Sequence, residues 1–323
     1  MYYLRLFAQY SVTLLAALTI NFLLPRVAPG DPINFLLSED VLAAMTEADK
    51  ARVMAEFGLD LPLPQQFLNY LTGLFQGDFG VSVQLGQPVW DILLDRLPWT
   101  LLLSGGALLV STLLGSVIGV LSAWRRGRSS DAITLGLVLF AGSIPAFWLA
   151  MMLIILFSTP LQWLPSYGAY PLATTAGSWE WTVGVAQRLV LPVMSLATVY
   201  TAMTLLIARS SMLIALEQDY ILFARAKGMR ERVIYFRHAF RNALLPLYTN
   251  VMMGLGGLLG GALVIETVFN YPGLGSLVVS GISARDYNLL QGIFVFTTVS
   301  IIFANFVTDL FYPLIDPRTR RTG

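Results

Sequence analysis

Cysteine is absent from this chain, histidine occurs once, and lysine occurs only at Lys50 and Lys227. The missing cysteine excludes disulfide frameworks, thiolate metal sites and cysteine nucleophiles, and a solitary His238 argues against a histidine-rich metal centre. Neither lysine lies in a Gly-x-x-x-x-Gly-Lys-Ser/Thr string, so a phosphate-binding loop is missing as well. We therefore expect no metal site and no catalytic residue, and this chain cannot hydrolyse ATP alone.

Charge is also scarce. Only 12% of the 323 residues are charged and 56% are hydrophobic, whereas soluble domains carry roughly 25% charged residues. The composition predicts an integral membrane protein. Nothing in it points to nucleic acid as a partner, because the formal net charge is only +1.

Six apolar runs are long enough to cross a bilayer as helices, so the predicted fold is all-α with six transmembrane helices. The runs are 6–24, 99–124, 132–157, 189–207, 247–268 and 290–311. A cleaved signal peptide is the alternative for the first run, but no Ala-x-Ala type site follows it. Pro145 should kink the third helix, because proline lacks an amide hydrogen and clashes with the preceding turn.

The charges divide the chain into regions. Segment 1–27 is the first membrane helix, 28–97 is a polar, acidic extracytoplasmic segment, 98–313 is a five-helix core with a basic loop at 209–246, and 314–323 is a tail. Arginines cluster after the second, fourth and sixth runs. By the positive-inside rule both termini are cytoplasmic, in a multi-pass protein of the cytoplasmic (inner) membrane.

The outer segment and the helices carry local signals of their own. Within 28–97 we predict helices at 46–57, capped by Thr46, and at 65–75, with the proline-rich 61–64 ending the first. Small residues recur at four-residue spacing in two runs, which lets membrane helices approach closely. They are Ser111, Gly115 and Gly119, Gly256 with Gly260, and Gly257 with Gly261. Leucine at Gly257 or Gly261 should therefore weaken assembly.

The basic loop has the most specific pattern. Asp219 can cap a short helix that Gly228 ends, and a second helical stretch follows at 229–242. That stretch is predicted to be amphipathic. Its basic side holds Arg230, Arg237 and Arg241, and its apolar side holds Val233, Phe236, Phe240 and Leu244. The alternative is a basic loop that only orients the protein in the membrane.

This loop resembles that of permease subunits in the dipeptide, oligopeptide and nickel branch of ABC importers. The matching string is Tyr220, Ala224, Arg225, Ala226, Lys227 and Gly228, then His238, Arg241, Asn242, Ala243 and Pro246. The wider superfamily's Glu-Ala-Ala opening is replaced by Leu222, Phe223 and Ala224. The resemblance implies a type I permease fold in which a coupling helix between helices four and five meets an ATPase subunit. It assigns that contact to Tyr220, Ala224, Arg225, Ala226, Lys227, Gly228 and Met229.

Other strings extend the resemblance over most of the chain. They lie at 28–32, 58–60, 77–80 and 261–275. Simple turn chemistry also explains the Gly-Asp strings among them. In the last string, the resemblance implies an external gate or a binding-protein contact at Glu266, Phe269, Pro272 and Gly273. A hydrated charge at the membrane boundary is the alternative for Glu266.

The resemblance implies a non-catalytic permease that imports di- or oligopeptides, nickel chelates or similar small solutes. The implied partners are a second permease, two ATP-binding subunits, an extracytoplasmic solute-binding protein and the lipid bilayer. ATP and magnesium would bind to the partner subunits and no cofactor to this chain. Polar residues within spans are candidate pore-lining groups, although each could instead bond to a neighbouring helix. They are Ser195, Tyr200, Thr201, Thr204, Asn250 and Asn305.

Two other functions depend on residues that this sequence largely lacks, and the ion-coupled transporter is the alternative that we keep. An ion-coupled transporter would need carboxylates or histidines deep in the spans, and only Asp309 lies well within one, near its cytoplasmic end. A membrane-embedded enzyme would need a His-Glu-x-x-His string, a Gly-x-Ser-x-Gly elbow or paired intramembrane aspartates, none of which the sequence contains.

Overall fold

The computed structural model describes residues 2–27, 41, 44–56, 60–258 and 262–315. These residues form helices joined by turns, and they divide into two compact units. The first unit comprises Met1–Pro98 and Gly273–Phe306, and the second comprises Trp99–Pro272 and Val307–Gly323. The predicted all-α class is confirmed over the part of the chain that is described.

We number the helices in chain order. They are α1 (Tyr2–Val27), α2 (Glu47–Glu56), α3 (Leu63–Phe75), α4 (Val89–Trp124), α5 (Ser129–Ser143), α6 (Ala146–Leu153), α7 (Trp179–Leu216), α8 (Asp219–Ala226), α9 (Glu231–Val233), α10 (Phe240–Gly257), α11 (Leu263–Val268), α12 (Leu274–Ser283) and α13 (Tyr287–Ile315). Two π-helical turns adjoin them, Ile154–Ser158 after α6 and Ile234–Ala239 between α9 and α10.

Four of the described helices are long and apolar enough to cross a membrane. They are found at Tyr3–Leu23, Val89–Trp124, Trp179–Leu216 and Tyr287–Leu310. The bent pair Ser129–Ser143 and Ala146–Ser158 makes five if it counts as one span. The predicted span at 247–268 lies partly outside the described residues, so the count of six stays a prediction.

Pro145 does more than kink the third span. The two helices that flank it diverge by 95°. Ile144 is extended, with ψ 130°, and Pro145 takes the N-cap position of α6. The ring of a proline disfavours helical geometry in the residue before it, and proline is well tolerated at the start of a helix. The helix therefore breaks at this point and a new one begins.

In the first unit, the short helices follow their capping signals. The Thr46 hydroxyl accepts a hydrogen bond from the backbone amide of Asp49 at 3.3 Å, and the Asp49 carboxylate accepts one from the Thr46 amide at 3.2 Å. The hydrogen bonds from Thr46 hold the pKa of Asp49 below its usual value. Helix α3 begins two residues before the predicted position, because Pro62 and Pro64 start this helix.

Asp286 organises the turn between α12 and α13 within the first unit. Its buried carboxylate accepts hydrogen bonds from the Ser82 hydroxyl at 2.6 Å and from the Gln84 amide at 3.0 Å. The carboxylate thus connects the segment that contains Ser82 and Gln84 to the turn between α12 and α13, which lies far from it in sequence. Satisfying a buried charge with several donors offsets the cost of removing it from water.

Helix α7 is the centre of the second unit, where α5, α6 and α10 pack against it. A methyl group added at Gly119 of α4 would lie 2.6 Å from the Leu205 carbonyl oxygen, and one added at Gly115 would lie 2.6 Å from Thr204 Cβ. Close approach at these two glycines, predicted from their spacing, is confirmed. At Gly257, by contrast, an added methyl meets no atom of the described residues within 4 Å, so the predicted tight contact is not found in this part of the chain. Gly260 and Gly261 lie outside the described residues.

Candidate functional site

The short helix α8 is fixed by burial of its inner side. Ile221 is fully buried and Ala224 is 7% exposed. They belong to a hydrophobic cluster in the second unit that joins the ends of α4 and α7 to the loop after α8. Its other buried members are Val120, Ala123, Met212, Ala215, Ile234, Tyr235, Ala239 and Ala243. Packing in this cluster holds α8 and the loop after it in a fixed position against the ends of α4 and α7.

The outer side of α8 has an apolar part between the exposed Asp219 and Arg225. Leu222 and Phe223 are 68% and 69% exposed, and Ala226 is exposed beside them. Adjacent exposed leucine and phenylalanine side chains form an apolar patch in an otherwise basic loop, the kind of surface that a partner can cover. Among the predicted coupling residues, Ala224 is buried and Met229 half-buried, while the others are exposed, namely Tyr220, Arg225, Ala226, Lys227 and Gly228. The two alanines thus face opposite ways.

Gly228 ends α8 as the sequence predicts. Its φ of +71° lies in the left-handed region, and its amide donates to the Arg225 carbonyl oxygen while the Met229 amide donates to that of Ala224. This is the Schellman arrangement, which satisfies the last carbonyls of a helix. Arg225 then bridges the turn, with its Nε 2.8 Å from Glu231 Oε1. The cap at the other end is Gln218, because Asp219 already lies in the first turn.

The stretch after Gly228 packs differently from the prediction. Of the four residues assigned to the packing face, Val233, Phe236 and Leu244 are 37%, 44% and 44% exposed, while Phe240 is half-buried and packs against the hydrophobic cluster. The buried residues are instead Ile234, Tyr235, Ala239 and Ala243. A π-helical turn at Ile234–Ala239 lies within this stretch, so its helical repeat is not regular.

Tyr235 anchors this stretch to the end of α4. Its hydroxyl donates to the carbonyl oxygen of Val120, and its ring meets Trp124 edge-on with 4.5 Å between centroids. Burial raises the pKa of Tyr235 to about 12, so the hydroxyl keeps its proton and remains a donor at neutral pH. A second polar tie in the same unit joins Asp131 of α5 to Arg209 of α7 at 2.9 Å. The Ser122 hydroxyl donates to the same carboxylate.

A cavity of about 270 Å³ opens among helices of the second unit. Its lining residues are Ser104, Leu108, Ser111, Tyr200, Met203, Thr204, Asn250, Met253, Gly254, Gly257 and Leu258. None of the described lining residues carries a charge. Asn250 and Thr204 face each other across 3.5 Å. The Ser104 hydroxyl is buried and has no hydrogen-bond partner among the described residues.

The structure brings together three of the six candidate pore residues, which are Tyr200, Thr204 and Asn250. Ser195 and Thr201 are buried, and their hydroxyls donate to the Leu191 and Ala197 carbonyl oxygens of their own helix. Asn305 belongs to the other compact unit. For Ser195 and Thr201, bonding to backbone is the geometry found, so neither hydroxyl is available to the cavity.

Sequence reasoning missed the other polar or flexible lining groups. Ser104 and Ser111 are isolated hydroxyls in an apolar helix, and Met203 and Met253 resemble ordinary core residues. The one sequence pattern that they share is helical spacing, because each lies three or four residues from another lining residue. Ser104, Leu108 and Ser111 follow one another at such a spacing on α4, as do Asn250, Met253, Gly254 and Gly257 on α10.

The string around Glu266 is buried. Glu266 is 0% exposed, and its carboxylate accepts a hydrogen bond from the Thr100 hydroxyl at 2.7 Å. Phe269 is 1% exposed, while Pro272 is half-buried and Gly273 buried. The alternative of a hydrated boundary charge is therefore wrong for Glu266. This glutamate ties α11 to α4 inside the second unit.

Comparison with known proteins gives the family. The model of the binding-protein-dependent transport system inner membrane component matches residues 115–321, and its N-terminal companion matches residues 1–104. A putative peptide permease of Brucella ovis is 37% identical, covering 96% of this chain and 95% of its own length. The oligopeptide permease AppB of Bacillus subtilis is 37% identical, covering 95% and 96%. The dipeptide permease DppB of Escherichia coli is 34% identical, covering 95% of each chain.

These matches agree with the apolar helices of the fold and with the resemblance noted in the basic loop. The resemblance to permease subunits is confirmed. The chain is a membrane protein that belongs to the family of inner-membrane components of binding-protein-dependent transport systems.

Proposed function

We propose that this chain is one of the two permease subunits of an ATP-driven importer that carries di- or oligopeptides across the cytoplasmic membrane. The peptide cargo is supported by the relatives, whose names specify peptide, dipeptide and oligopeptide transport at 34–37% identity. The partners in the proposal are a second permease, a pair of ATPase subunits that hold ATP and magnesium, and an extracytoplasmic binding protein.

Helix α8 is the proposed coupling helix. The observation that carries this assignment is the pairing of a buried side, Ile221 and Ala224, with an apolar exposed side, Leu222 and Phe223. A loop that only orients the protein needs charge and has no use for an exposed apolar side. Covering one such side chain contributes roughly 1.5–3 kcal/mol, so the pair offers several kcal/mol to a docking partner.

The cavity of the second unit is the proposed part of the transport path. Its uncharged lining suits the neutral amide groups of a peptide backbone, and the Ser104 hydroxyl can donate or accept a hydrogen bond there. No carboxylate or histidine lines it among the described residues, which counts against ion coupling. Tyr200, Thr204 and Asn250 are the pore-lining residues that we retain.

Reconstitution tests the function directly. We expect the chain to co-purify with an ATPase and a second permease, and the assembled complex in proteoliposomes to take up labelled dipeptide only when ATP and the binding protein are both supplied. A sodium or proton gradient in place of ATP should give no uptake. Uptake driven by a gradient without ATP would reverse the assignment in favour of an ion-coupled transporter.

The proposed topology has six spans with both termini in the cytoplasm. It is supported by the arginines of the loop 209–246 and the acidic segment 28–97. Single cysteines report on it without background, because the chain has none. A membrane-impermeant thiol reagent should label Glu47→Cys, whose side chain is 90% exposed, and spare Arg230→Cys until the membrane is opened. Labelling of Arg230→Cys but not of Glu47→Cys in intact cells would show that the orientation is the opposite of the one proposed.

A further inference from the structure

Helix α3 (Leu63–Phe75) combines an uncharged sequence with an unusual degree of exposure. It has no charged residue, and none of its residues is fully buried. One side packs against α1 within the first unit, where the Phe22 ring lies 5.1 Å from that of Phe67 and 5.4 Å from that of Tyr70. These ring contacts hold one side of the helix against α1.

The contact with Phe22 fixes the depth of α3 relative to the membrane. Phe22 is the second-last residue of the candidate span Tyr3–Leu23 and is 2% exposed. Helix α3 thus packs at the end of a membrane-crossing helix. With 13 residues it is about 20 Å long, too short to cross a hydrocarbon core of roughly 30 Å.

A second side of α3 is apolar and uncovered. Leu68 is 60% exposed and Phe75 is 88% exposed, about two turns further along the same side. At the neighbouring end of α1, Ile20 and Leu23 are 62% and 40% exposed on a helix that crosses the bilayer. Both helices therefore leave apolar side chains uncovered near the place where α3 packs against α1. Asn69, which is also exposed, lies on the polar side of α3.

We propose that α3 is an interfacial helix, lying along the membrane surface at the C-terminal end of α1 with Leu68 and Phe75 inserted among the lipids. An amphipathic helix in this position buries its apolar side roughly 5–10 Å into the boundary between headgroups and acyl chains. Lipid suits this side better than a protein partner does, since the helix carries no charge to give a partner specificity. The proposal is independent of the cargo and of which side of the membrane this end of α1 occupies.

Fluorescence quenching in nanodiscs tests the proposal on the assembled complex. The variants are Leu68→Cys and Phe75→Cys, with Asn69→Cys as the matched control, each labelled with bimane on the cysteine-free background. Lipid brominated on its acyl chains should remove on the order of half the fluorescence at positions 68 and 75, because such side chains reach the acyl boundary. Aqueous iodide should quench the label at position 69 and leave the other two nearly unchanged. ATP hydrolysis by each labelled complex, which nanodiscs allow to be measured, verifies that it is folded.

Two results would overturn the proposal. If iodide quenches positions 68 and 75 as strongly as position 69, the apolar side faces water. If neither quencher reaches positions 68 and 75, a protein covers them. Repeating the measurement without the binding protein then tells whether that protein or a permanent subunit is responsible. Quenching by brominated lipid at both positions, with iodide quenching confined to position 69, is the only result that supports an interfacial helix.

Discussion

Replacing Leu222 and Phe223 by serine is expected to separate the ATPase subunit from this chain while leaving the chain folded in the membrane. Both side chains are about two-thirds exposed, at 68% and 69%, so neither supports the fold of the loop. If the partner covers them, their loss weakens docking by about 3 kcal/mol or more, which is at least a hundredfold in affinity. The readouts are co-purification of the ATPase and ATP hydrolysis stimulated by the loaded binding protein.

The matched control is Leu172→Ser, since Leu172 is 92% exposed in a different loop. This change removes the same kind of side chain from a surface with no proposed role, and we expect wild-type hydrolysis and uptake. Neutralising Arg230, Arg232, Arg237 and Arg241 provides the opposite comparison. If the loop only orients the protein, neutralising the arginines should lower uptake and hydrolysis, and the serine substitutions at positions 222 and 223 should change neither. That outcome would contradict the coupling assignment.

Two further substitutions examine the shape of the same helix. Ala226→Trp adds bulk to the exposed side, whereas Ala224 is buried and its enlargement would disturb the loop core instead. Gly228→Val places a β-branched residue at φ +71°, in the left-handed region where even an unbranched side chain costs roughly 1–2 kcal/mol. Gly177→Val is the control, because Gly177 has φ +83° and equal free space in another loop. We expect coupling to fall only for the changes at positions 226 and 228.

Local signals in the sequence predicted the ends of elements well. Gly228 is a left-handed cap because only glycine enters that conformation without strain, and Thr46 with Asp49 forms a capping box over three residues. Each of these depends on neighbours in the chain. Pro145 was recognised as a disturbance, but the size of the bend, 95°, depends on what the following helix packs against.

Features that depend on contacts between distant parts of the chain could not be predicted from local sequence patterns. The apolar side of the second loop helix was placed at Val233 and Phe236, whereas burial falls on Ile234 and Tyr235, which pack against the ends of α4 and α7. Likewise, Ser195 and Ser104 are indistinguishable in sequence. The Ser195 hydroxyl donates to its own helix, whereas the Ser104 hydroxyl lines the cavity and has no hydrogen-bond partner among the residues that the structure describes.

Filling the cavity of the second unit is expected to block transport without dissociating the subunits of the complex. Gly257 lines that cavity, and a methyl group there meets no atom of the described residues within 4 Å, so Gly257→Phe can place its ring in a space of about 270 Å³. Peptide uptake should fall by at least tenfold, since an obstruction that adds about 1.4 kcal/mol to the rate-limiting barrier already has that effect. Co-purification of partners and the yield of complex should remain at wild-type levels.

Gly119→Phe is the control for crowding within the chain. A side chain at Gly119 would begin 2.6 Å from the Leu205 carbonyl oxygen and 2.7 Å from Ala208 Cβ, where backbone has to move to admit it. Such overpacking typically costs 1–3 kcal/mol, and more when backbone resists, so this variant should lose intact complex as well as uptake. Equal losses of complex for Gly257→Phe and Gly119→Phe would mean that position 257 packs tightly against a second subunit. Wild-type uptake by an intact Gly257→Phe complex would mean instead that peptides do not pass through this cavity.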